Sequence, residues 1–143
     1  MAIVLRTDED QTSLLLRRQL EPLQWKFVVG ERLNRESFRE SITREVAWQL
    51  NLNRKSDFLV SNMAALSIDH VETGPDGSQQ HIALAFYNVH IYRGAVLETL
   101  SRDAANRWVS AAETCQGKTI DGQTIDPRVV SWINRWSVVQ PWQ

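Results

Sequence analysis

The chain has 143 residues, 16 basic against 17 acidic side chains and a net charge of -1, the length and balance of one globular domain. Basic and acidic residues balance within each half, so nucleic acid is not expected as a partner. Cys115 is the single cysteine, which excludes an internal disulfide and a cysteine zinc site, and no apolar run reaches the roughly 20 residues of a membrane span. Residues 1–6 are followed by acidic residues at 8–10, unlike a signal peptide with its basic start and longer apolar middle. A lone thiol suits a reducing compartment, and a cytoplasmic location is expected.

No repeat, low-complexity tract or linker interrupts the chain, so residues 1–143 are read as a single domain. Residues 13–16, flanked by Arg17 and Arg18, read as a first strand, and residues 24–29 as a second extended segment. Residues 37–50 read as a helix. Ser37-x-x-Glu40 has the form of a capping box, and Phe38, Ile42, Val46 and Leu50 recur as an apolar stripe. Residues 53–57 are turn-like, and 58–71 are apolar enough for a strand. Residues 73–78 carry a strong turn signal. Residues 81–92 alternate as a long strand, apolar on both faces and therefore central, and form a hairpin with the segment before the turn. Trp108 and Val109 suggest another short strand. Residues 117–126 read as loop, and Pro127 opens a closing helix whose apolar face is Val129, Val130, Ile133 and Trp136. Most of the six tryptophans are expected in the core. An exposed aromatic patch of Trp132, Trp136 and the tail residue Trp142 would mark a protein partner or a homodimer. The order of elements predicts an α/β fold, a mixed β-sheet with helices on both sides.

The region from Gly30 to Leu52 carries the strongest pattern: Gly30-x5-Glu36-x7-Arg44-Glu45-Val46, then Ala47, Trp48, Gln49, Leu50, Asn51 and Leu52. This spacing resembles the Nudix box, G-x5-E-x7-R-E-U-x-E-E-x-G-U, where U is a bulky aliphatic residue. Ser13 to Arg18 is similar to the family's opening strand with its trailing arginines. Trp25-Lys26-Phe27 and Arg107-Trp108-Val109 match its flanking elements. The resemblance implies a Nudix-like α/β/α sandwich over residues 1–143. It also implies hydrolysis of a nucleoside diphosphate linked to another moiety, with magnesium or manganese held by the box glutamates.

The back half of the box departs from that pattern. The family's adjacent glutamates fall on Trp48 and Gln49, and its last glycine on Asn51. Its loop glycines fall on Val29 and Arg35, with a loss of backbone freedom expected. A diphosphate repels an attacking water, so a metal must neutralise charge and activate that water. Hard cations take oxygen ligands. Helix positions i, i+3 and i+4 share a face, which places Glu45, Trp48 and Gln49 together: one carboxylate, one indole that only donates, and one amide. No metal site and no cofactor are therefore expected there. Glu45 is the one candidate catalytic acid. Trp48, Gln49, Glu36 and Arg44 are candidate ligand-binding residues, with Trp48 either lining the old cleft or sealing it as core. Glu36 and Arg44 belong either to a catalytic loop or to a pair that holds the loop against the helix. His81 and His90 fall on opposite strand faces and share no site.

The expected function is a Nudix-fold domain without metal-dependent diphosphate hydrolysis that binds a small nucleotide-like ligand or a protein. It has no nucleic-acid or membrane partner, and homodimerisation is open. The alternative is a divergent, active hydrolase using magnesium or manganese, with Glu98 or Asp103 as replacement acids.

Overall fold

A computed structural model describes residues 1–8 and 11–139; Pro141 and Trp142 lie outside the described residues. The strands are β1 (Ala2–Asp8), β2 (Gln11–Gln19), β3 (Gln24–Lys26), β4 (Phe58–Val60), β5 (Leu66–Thr73), β6 (Gln79–Ile91) and β7 (Asn106–Ser110). The helices are α1 (Phe38–Gln49), α2 (Gly94–Arg102), α3 (Ala111–Gln116) and α4 (Pro127–Trp136). The strand order is β3-β2-β1-β6-β4, with β5 also paired to β6 and β7 to β2. The β1–β6 pair is parallel, with Val4 opposite Val89, and the other pairs are antiparallel. The sheet is therefore mixed, as the sequence predicts.

Alternation along the strands divides the interior in two. On β2, Leu15 joins the core under α1 and α2, with Ile42, Val46 and Leu100. Its neighbours Leu14 and Leu16 join the core under α4, with Phe27, Trp132 and Ile133. Successive side chains of a strand point to opposite faces, so a strand buried on both sides carries an unbroken apolar run. That is why residues 13–18 hold three consecutive leucines. The result is an α/β/α sandwich. No helix is long and apolar enough to cross a membrane.

α1 forms where its local signals place it. The Ser37 hydroxyl accepts the Glu40 amide at 3.1 Å, and Ile42 and Val46 are buried. Its end closes with a left-handed residue. Asn51 takes a left-handed φ of 53°, the Leu52 amide donates to the Ala47 carbonyl at 2.9 Å, and the Asn51 amide donates to Trp48. This is a Schellman closure, and asparagine is the residue after glycine best suited to it. Arg35 likewise adopts a φ of 59°. Both positions thus take left-handed backbone at a residue other than glycine.

Other expectations change. β1 was not foreseen; its parallel pairing to β6 rests on a partner more than 80 positions away, beyond any local signal. The strand expected over residues 58–71 is two strands, β4 and β5, on the same edge of β6. The Ser61 amide donates to Asn88 and the Ala65 amide to Phe86, so the intervening residues loop out. α2 begins without a side-chain cap. α3 has a two-way capping box between Ser110 and Glu113, a signal present in the sequence but not read there.

Asp57 fixes the turn after α1. Its carboxylate accepts the Asn53 amide at 2.8 Å and the Arg93 guanidinium at 2.8 Å. These bonds, the Asn53 amide first, hold its pKa below the ordinary aspartate value. A depressed carboxyl stabilises the fold above the ordinary carboxylate range, and that contribution is lost as pH falls through the folded-state value. Asp57→Asn is therefore expected to flatten the acid limb of a stability–pH curve below about pH 4 and to lower stability at pH 7. Chemical denaturation across that range measures both.

Candidate functional site

Arg44 organises the loop that leads into α1. Its Nε and Nη2 donate to the two Glu36 carboxylate oxygens at 3.0 and 3.1 Å. Nη1 donates to Glu45 Oε1 at 2.6 Å, and Nη2 also donates to the Glu31 carbonyl at 3.1 Å. The bond from Arg44, and then the Leu33 amide, hold the Glu36 carboxyl below its ordinary value, and Arg44 is shifted upward in turn, chiefly by Glu36. A bidentate guanidinium–carboxylate pair fixes geometry as well as charge. The geometry here is that of a brace: Arg44 pins residues 31–36 to the helix.

Glu45 and Gln49 turn to the other side. Gln49 Nε2 donates to Glu45 Oε2 at 2.8 Å and lies 3.2 Å from the Val29 carbonyl. The Glu45 stem passes over Gly30, where an added Cβ would sit 2.6 Å from its Cγ. Gly30 thus makes room for the close approach of the Glu45 stem. Gly30→Ala is expected to displace Glu45, break its bonds to Arg44 and Gln49, and cost about 1–2 kcal/mol, the lower part of the range for overpacked sites. Urea denaturation of the variant measures this.

Trp48 stands apart from both. It is 79% exposed and borders an open cavity of about 690 Å³ with Glu36, Arg39, Glu40, Thr43, Arg44 and Arg54. One expectation is corrected and one of two open readings fits. The shared face of Glu45, Trp48 and Gln49 is split, because on a helix i+3 and i+4 lie on opposite sides of i and roughly 100° apart. Trp48 also does not seal the cleft as core; it lines an opening.

Arg39 and Arg54 are cavity residues that the sequence reading missed. Arg39 lies on the helix face of Thr43 and Ala47, at i, i+4 and i+8, a spacing that could have revealed it. It is anchored by Nε to the Ser61 carbonyl at 3.2 Å and by Nη2 to the Val60 carbonyl at 2.8 Å. Arg54 arrives from the turn after the helix, and no periodic signal marks it. The replacement acids are elsewhere: Glu98 is exposed on α2, and Asp103 lies 3.7 Å from Arg17. Among the described residues the C-terminal tryptophans form no exposed aromatic patch. Trp132 is buried, with Arg128 stacked 4.7 Å from its ring centre. Trp136 is half-buried with the His70 ring edge-on at 5.3 Å.

No protein-family model matches the chain, and no curated protein does. Solved structures do match in shape. The C. elegans Ap4A hydrolase superposes with a TM-score of 0.62 at 11% identity, over 95% of this chain and 92% of that one. A Nudix hydrolase from M. smegmatis, RenU, gives 0.58 at 14% identity, over 96% of this chain and 82% of that one. The chain has the Nudix fold. Shewanella oneidensis NrtR, solved with a 27mer DNA, gives 0.62 at 12% identity over 96% of this chain; the match spans 59% of that longer protein.

The Nudix fold implies a divalent metal at the box, and the residues present do not fit one. Both oxygens of Glu45 are engaged by Arg44 and Gln49, Trp48 offers no acceptor, and the Gln49 amide nitrogen faces Glu45 and Val29. Among the described residues no group of three or more His, Cys, Asp or Glu side chains is placed to hold a metal ion.

Proposed function

We propose that this Nudix-fold domain has exchanged metal-dependent diphosphate hydrolysis for binding of a nucleotide-like small molecule along α1. The observation that carries this reading is the position of Trp48. It occupies a metal-glutamate position of the box, stands largely in solvent, and walls a cavity of about 690 Å³, within the size range of small-molecule sites. A large aromatic that neither packs in the core nor meets a partner ring among the described residues offers a flat face to a heteroaromatic base, and such stacking is worth about 1–3 kcal/mol per base. The same substitution removes the carboxylate that a metal would need.

The experiment is a thermal-shift panel of nucleosides, mononucleotides and nucleoside diphosphate compounds, run in EDTA and in magnesium, with product analysis of the magnesium samples. Stabilisation by one or more of these compounds in EDTA, without turnover, is the expected result. Magnesium-dependent turnover that Glu45→Gln abolishes would reinstate a divergent hydrolase and overturn the proposal.

A further inference from the structure

The charges around the cavity define its ligand more narrowly, and the following rests on the binding role proposed above. Three arginines line the cavity, but they are not equivalent. The charge of Arg44 is compensated by Glu36 and Glu45. Arg39 spends two of its donors on neutral backbone carbonyls, which fixes its direction and leaves its charge uncompensated. Arg54 is exposed and makes no hydrogen bond or ion pair among the described residues. Against these two arginines, neither of which meets a carboxylate among the described residues, stands Glu40, which is exposed and lines the same cavity. Thr43 adds a hydroxyl whose proton is committed to the Arg39 carbonyl at 2.7 Å, so its oxygen faces the cavity as an acceptor.

We infer that the cavity takes a nucleoside bearing a single phosphate group, bound without a divalent metal, with Arg54 as the anion-recognising residue and Trp48 as the stacking platform. The lining carries three arginines against two carboxylates, Glu36 and Glu40, a small positive excess that suits one phosphate group better than two or three. Guanidinium groups meet phosphate oxygens in a paired, planar geometry. A diphosphate or triphosphate carries more charge than this set neutralises, and it also meets the Glu40 carboxylate. A nucleoside alone leaves Arg54 without its partner. Glu40 and Thr43 supply acceptors for sugar hydroxyls, so one carboxylate in a cationic cavity serves the neutral part of the ligand.

The test is isothermal titration calorimetry in EDTA with adenosine, AMP, ADP and ATP, and with the guanine, cytosine and uracil mononucleotides, on the full chain and on Arg54→Glu and Trp48→Ala. Both substitutions are at exposed positions, and circular dichroism checks that the variants fold. At least one mononucleotide is expected to bind in EDTA at least tenfold more tightly than its nucleoside and its diphosphate, the preference expected of a charge-assisted contact. Arg54→Glu is expected to remove that preference, and added salt to weaken it. Binding that needs magnesium, that favours the diphosphate in EDTA, or that is unchanged in Arg54→Glu would overturn the single-phosphate assignment while leaving the nucleotide-binding role intact. Failure of every nucleoside and nucleotide to bind would overturn both.

Discussion

Replacing Trp132 by alanine is expected to cost about 3–5 kcal/mol of folding stability, the usual penalty for deleting a large buried aromatic. Trp132 is 8% exposed and sits in the core under α4, with Phe27, Phe86 and Ile133. It also borders a small cavity of about 60 Å³ with Phe38, Ile42 and Leu84. A truncated side chain would enlarge that void, and close-packed surroundings relax only in part. Arg128 would lose the ring beneath it as well. Chemical denaturation reads the loss directly. Sedimentation at several concentrations separates this packing role from the interface role that the C-terminal tryptophans suggest in sequence. A core residue changes stability and leaves self-association alone.

Trp48→Ala is expected to do the reverse. Surface substitutions away from caps and buried networks usually shift stability by less than about 0.5 kcal/mol, and Trp48 is mostly in solvent. Affinity for a stacked nucleotide should fall by roughly 5- to 150-fold, the equivalent of about 1–3 kcal/mol. Trp48→Phe should recover part of that affinity, because a phenyl ring keeps a flat face and loses area. Calorimetry for binding and thermal melting for stability check both halves. A large loss of stability with unchanged affinity would place Trp48 among the packing residues instead.

These two tryptophans illustrate what the sequence discloses and what it withholds. The helix α1 was legible because its signals are local: Ser37 caps it, and the stripe through Ile42 and Val46 faces the core. The mixed sheet followed from the order of elements, although β1 needed a partner remote in sequence. The brace between Glu36 and Arg44 was one of two readings the spacing allowed, and the bidentate bonds fit the structural one. The site was less legible. Treating positions 45, 48 and 49 as one helix face hid the angle between the last two. That angle sends Gln49 toward Val29 and Trp48 toward the cavity. Arg54 reaches the cavity only because the Asn51 closure reverses the chain at the end of α1. The box places a glycine at this turn. Asparagine performs it instead.

The motif therefore divides into two parts. Gly30, Glu36, Arg44 and Asn51 maintain the loop and the helix end by close approach, hydrogen bonding and a left-handed turn. None of those functions needs a metal. Glu45, deprived of its two acidic neighbours, is held by Arg44 and Gln49. The measurement that tests this most directly is a magnesium titration by calorimetry on the natural chain and on the double substitution Trp48→Glu, Gln49→Glu. The account predicts no saturable micromolar binding to the natural chain and its appearance when the two glutamates are present. Micromolar magnesium binding to the natural chain that Glu45→Gln removes would contradict it.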